Sequence, residues 1–172
     1  MRYVALLRGV NLAGKRKVAM ADLVRCFGEA GCEDVRTYIQ SGNVVFSSTV
    51  RSEGKLRATL EEHVREATGL DVAVVLRTAK EMAAVVEANP FPEAEPAKLL
   101  VGFLAEKPPA AAVESLDAAV TAKEGFVVNG REVYLNLPDG IGCSKAPVAL
   151  DRIKPTVTAR NWRTVTKLAG MV

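Results

Sequence analysis

The chain has 172 residues, 49% hydrophobic and 25% charged, with a formal net charge of +3. That length allows one domain or two small ones, each with a real core, and the composition is that of a soluble globular protein. No apolar run approaches the roughly 18 residues of a membrane span, the apolar part of MRYVALLRGV is too short for a signal peptide, and Cys26, Cys32 and Cys143 are an odd set without metal-ligand spacing, which fits a reducing cytoplasm.

The elements read clearly in chain order. Tyr3 to Leu7 is a short apolar strand. Met20, Leu23, Val24 and Phe27 recur at helical spacing, and Gly31 can stop that helix. Val35 to Ile39 and Val44 to Ser48 form a hairpin around Ser41-Gly42. Leu56, Leu60, Val64 and Ala67 mark a second helix closed by Gly69, and a strand follows over Asp71 to Arg77. The order β-α-β-β-α-β is that of a ferredoxin-like unit. Thr78 with Glu81 is a capping-box pattern opening a third helix, which carries Met82, Val85 and Val86 and ends at Asn89-Pro90. The acidic, Pro-rich NPFPEAEP then predicts a boundary, with an N-terminal unit over 1–89 and a C-terminal unit over 90–172.

The second half runs in a similar order. Leu99 to Ala105 reads as a strand, and Pro108-Pro109 opens a helix bearing Val113, Leu116 and Val120. Phe126 to Val128 and Val133 to Leu137 flank Asn129-Gly130, a strong hairpin signal. One or two helices follow the glycine loop, the last with Trp162, Val165 and Leu168 on its face. The expected fold is α+β, two ferredoxin-like halves packed together. The matching order suggests duplication, although no residue-level repeat stands out.

Three segments concentrate glycine and hydrogen-bonding residues at the ends of apolar runs: LLRGVNLAGKRKVAM, TYIQSGNVVF, and PDGIGCSK with the later TARNWRTVTKL. Loops at strand ends are where binding groups gather, so the three are read as one polar site assembled by folding. Charge supports this. Residues 1–20 hold Arg2, Arg8, Lys15, Arg16 and Lys17 and no acid, and the last thirty residues hold six basic groups against Asp151 alone. A basic patch on a nearly neutral protein attracts an anion; the alternative is two solvated surface stretches.

Taken in that order, the four motifs resemble the bacterial domain of unknown function 1697 family, from the first residue nearly to the last. The resemblance implies a cytoplasmic α+β protein with no established activity. Members often carry a basic residue where this chain has Cys143.

The segment Gly9 to Lys15 fits GxxxxGK after a strand, but Arg16 stands where a P-loop needs a hydroxyl for magnesium. A milder reading keeps converging backbone N–H groups, with Arg8, Asn11 and Lys15 around an anion. Its alternative is a glycine-dependent turn. Gln40 and Asn43 sit at a hairpin tip, where Ser-Gly and Gly-Asn also serve turn geometry.

Ser144, Lys145 and Cys143 offer nucleophile and base chemistry in principle. The single histidine, His63, lies in EEHVRE on a solvated helix face, which argues against a catalytic partner. A glycine loop delivering Ser144 and Lys145 to a helix start fits anion binding better. Asn161 is a good N-cap, Arg160 and Arg163 flank that helix start, and Trp162 packs in the core. Nine aromatics are present, and no RNA-binding signature. The ligand-binding set is Arg8, Asn11, Lys15, Gln40, Asn43, Ser144, Lys145, Arg160 and Asn161. The expected partner is a phosphate-bearing small molecule or a nucleic-acid backbone, with no membrane. The alternatives are an enzyme working through Ser144, Lys145 or Cys143 on a phosphate-bearing or acyl substrate, and an interaction protein without a ligand. No motif identifies a cofactor or an oligomeric state.

Overall fold

A computed structural model describes residues 1–12, 16–154 and 156–172. The chain falls into two compact units, Met1–Ala83 with Leu168–Val172, and Ala84–Lys167. The Pro-rich segment 89–96 lies in the second unit.

The first unit contains β1 (Arg2–Leu7), α1 (Met20–Glu29), β2 (Glu33–Tyr38), β3 (Asn43–Ser47), α2 (Glu53–Thr68) and β4 (Val74–Thr78). The strands form one antiparallel sheet in the order β2-β3-β1-β4. Strand alternation sends Tyr3, Ala5 and Leu7 to the helix side, where they meet Leu23, Cys26 and Phe27 of α1 and Leu56, Leu60 and Val64 of α2 in one buried cluster. Phe46 lies edge-on to Phe27 at 5.2 Å and stacks on Tyr3 at 5.6 Å. Ser52 caps α2, and Gly69 ends it in the left-handed conformation, as its place in the sequence leads one to expect.

Helix α3 (Ala79–Glu87) follows β4 directly. The capping box forms: Thr78 Oγ1 accepts from Glu81 N, and Glu81 Oε2 accepts from Thr78 N.

The second unit repeats the order with β5 (Leu99–Leu104), α4 (Ala110–Asp117), β6 (Gly125–Asn129), β7 (Glu132–Asn136), α5 (Ala146–Asp151) and β8 (Val157–Asn161). Its sheet order, β6-β7-β5-β8, matches the first sheet strand for strand. The hairpin forms with Gly130-Arg131 as its two-residue turn, because Asn129 still pairs with Glu132. Leu100, Leu104, Leu135 and Val157 pack on Leu116 and Leu150 on the helix side. Gly102 makes room there, since a Cβ would stand 2.8 Å from Leu150 Cδ2.

One strand was not expected from the sequence. Residues 157–161 form β8, and α6 (Trp162–Ala169) follows it directly after the expected cap at Asn161. Val157 and Thr158 are β-branched, and pairing from Leu100↔Asn161 to Leu104↔Val157 gives that segment its partners on β5. The chain is thus α+β, with two four-stranded antiparallel sheets and helices. No helix among the described residues is long and apolar enough to cross a membrane.

Candidate functional site

In the first unit the polar loop residues are held by the backbone. Asn11, at φ 55°, donates from Nδ2 to the carbonyls of Val18 (2.9 Å) and Gln40 (3.0 Å), and its Oδ1 accepts from Val18 N at 2.9 Å. The whole amide is used to close the loop from residue 11 to residue 18 and fasten it to the hairpin tip. Arg16 donates to the Asp71 carbonyl. Arg8 is half-buried, and its own N–H donates to Ala73 O at 2.9 Å. Lys15, and with it the end of the GxxxxGK reading, lies outside the described residues.

The hairpin tip is equally local. Asn43 is fully buried and donates to Tyr38 O at 3.0 Å. Gly42, at φ 69°, must be glycine: a Cβ would lie 2.5 Å from Val10 Cγ2 and 2.8 Å from Leu7 Cβ. Gln40 is exposed and serves Asn11 through its carbonyl. Ile39, half-exposed at φ 49°, is a β-branched residue in the left-handed region, a strained position. Structure thus brings Asn11 onto Gln40, by a side-chain to backbone bond.

In the second unit the glycine loop passes through a 3-10 turn (Ile141–Cys143) into α5. Ser144 Oγ accepts from Ala146 N at 3.0 Å. Its hydroxyl also bonds the Glu124 carboxylate, and this bond, with Glu124's bonds to the Thr121 backbone and side chain, holds that carboxyl below its usual range. Ser144 is therefore a strap between the loop and the segment 121–124. Its bond takes the first N–H of a six-residue helix, so α5 presents a poor anion-binding terminus.

Arg160 is buried rather than poised at an exposed helix start. Its guanidinium donates to Thr158 Oγ1 and to Ala159 O, both at 2.8 Å, and burial pushes its pKa down to about 10. It pairs with Val101, while the adjacent Gly102 faces Leu150, so strand alternation puts Arg160 on the sheet face away from α5. Lys145 and Arg160 accordingly do not share a pocket within this unit. Asn161 caps α6, its Oδ1 accepting from Thr164 N at 2.9 Å. Trp162 is half-buried, and Val165 and Leu168 of the same helix are buried.

What does open in this unit is a cleft of about 600 Å³ between α4 and α5. Pro109, Ala112, Ala119 and Ala149 wall it, with the buried Ile153. Lys145, Arg152 and Lys154 line it with exposed side chains, and none of the described residues lining it is acidic. The α4 wall is alanine, while Leu116 of α4 and Leu150 of α5 pack beneath it in the core of the unit, as Leu23, Phe27 and Leu60 do in the first unit. Only Leu116 of α4 is buried. Of the residues expected to bind a ligand, Lys145 alone lies here. Arg152 and Lys154 escaped sequence reading because DRIK looks like any solvated stretch, and the visible signal was the alanine-rich AAAVESLDAAV.

Cys143 is exposed, Cys26 and Cys32 are buried free thiols, and burial pushes Cys32 up to about 11. His63 Nδ1 lies 2.9 Å from Thr59 O on its own helix. No cluster of three metal-ligating side chains occurs among the described residues.

A family model described as "Protein of unknown function (DUF1697)" matches residues 1–134. Comparison with curated proteins finds no match. Among solved structures, a conserved bacterial protein from Streptococcus pneumoniae is similar at a TM-score of 0.79 and 24% identity, over 99% of this chain and 97% of that one. At that identity the likeness is one of fold.

Proposed function

Since the chain belongs to the DUF1697 family of proteins of unknown function, we propose from its own geometry that it is a binding module for a small anionic ligand, with the ligand seated between α4 and α5. One observation carries the reading: three exposed cations converge on a cleft with an apolar wall and no acidic lining among the described residues. Its volume of about 600 Å³ is within the usual range for small-molecule sites. We further read the two halves as ferredoxin-like, from their strand order. We place the protein in the cytoplasm, where free thiols persist.

A phosphate or carboxylate suits this site because lysine and arginine both donate charge-assisted hydrogen bonds to such groups. Catalysis through Ser144 is the weaker reading, since its hydroxyl is engaged by Glu124 and Ala146.

The test is calorimetric titration with phosphate-bearing and carboxylate ligands and short single-stranded nucleic acid. Lys145→Ala and Arg152→Ala should each weaken the bound anion by about one decade, the lower end for a charged hydrogen bond. The loss should shrink as salt rises, and thermal stability should hardly change because both side chains are exposed. Parent-like affinity in both variants would rule out the cleft. Binding confined to nucleic acid would replace the small ligand with a backbone.

A further inference from the structure

We infer that the ligand is an amphipathic anion, with one acidic head and one apolar body, rather than a nucleotide or sugar phosphate. This rests on the cleft being the anion site and names the class of ligand it takes.

The lining divides by chemistry. Lys145, Arg152 and Lys154 supply every charge, and apart from Ser115 the rest is alanine, proline and isoleucine. Ser115 already donates its hydroxyl proton to Ala111 O at 2.9 Å, so its remaining capacity is as an acceptor. A sugar or base edge placed against that wall would lose water and find few partners, which disfavours it. An alkyl or aryl body meets no such cost and removes alanine and Ile153 surface from water.

Architecture and strand order are the same in both halves. In the first, Phe27, Leu23 and Leu60 occupy the space between paired helices and the sheet as one packed core. In the second, Leu116 and Leu150 fill that position, and the alanine-walled cleft lies outside it, between the two helices. An apolar wall left uncovered between two helices is suited to hydrocarbon brought by a ligand. Charge complementarity then fixes the occupant's other end as an acid, and the volume of the open cleft is that of a small-molecule site.

Titration of the full chain with octanoate, decanoate and dodecanoate, below micelle-forming concentrations, tests this beside decyltrimethylammonium, inorganic phosphate and adenosine monophosphate. Affinity should rise about two- to fourfold per added methylene, Arg152→Ala should weaken all three carboxylates, and the cationic amphiphile should not bind. Ala119→Phe, which fills the cleft, should weaken decanoate at least tenfold. If that variant does not fold, the chain-length series on the parent decides alone. Phosphate or adenosine monophosphate bound through Lys145 and Arg152, with no gain from chain length, would overturn the amphiphile and leave the anion site standing. No binding by any anion, or binding indifferent to Lys145 and Arg152, would overturn both.

Discussion

Asparagine and serine in this chain act on the backbone. Asn11 bonds the backbone of Val18 and Gln40, and Asn43 bonds that of Tyr38. The same residue types that mark a binding loop also mark a loop that must tie itself down, and sequence alone does not separate the two uses. Ser144 shows it again through Glu124. That carboxyl is held below its ordinary 4.5, first by Ser144 and then by the Thr121 backbone. A depressed carboxyl adds stability above its unfolded pKa, and the contribution is lost as pH falls through the folded value. Melting temperature measured against pH should therefore show the parent above Glu124→Gln near neutrality, the gap persisting to about 4.5 and closing below it. A gap that widens in acid would refute the strap. Cysteine follows burial: an alkylating agent should reach Cys143 before Cys26 and Cys32 on access alone, so labelling order says nothing about a nucleophile.

Elements with strong periodicity or punctuation were legible. The helices at Leu56/Leu60/Val64, the Thr78–Glu81 box, the Asn43 and Gly130 hairpins and the alternating first strands all follow from local chemistry. Strand β8 was missed, because Val157–Asn161 is short and runs into α6 without a break. Its pairing with β5 is a long-range fact. Arg160 is the test of that strand. Its side chain is buried and bonded to Thr158 and Ala159, so Arg160→Ala should destabilise the fold by about 2–5 kcal/mol, as other buried large-to-small changes do, with a lower denaturant midpoint. An unchanged midpoint would place Arg160 at an exposed site, as a helix start in its place would require.

Across the whole molecule the two halves share more than strand order. Arg77 pairs with Val4, and Arg160 with Val101, each the third residue of the first strand of its sheet. The next residue, Thr78 or Asn161, caps a helix through the backbone N–H three positions on. Buried apolar residues then stand five and eight positions beyond the arginine, Met82 and Val85 in one half, Val165 and Leu168 in the other. This repeat is invisible without the register, because it keeps roles while changing most of the letters. Both halves fill the space between helices and sheet with apolar side chains, and the alanine-walled cleft of the second half lies outside that shared core.

Binding in the cleft is tested most directly by two-dimensional amide NMR of the full chain titrated with decanoate. Seating between α4 and α5 predicts saturable shifts concentrated in residues 109–119 and 145–154, diminished in Arg152→Ala. Shifts centred on the Asn11 and Gln40 loops, or no saturable shifts at all, would contradict it.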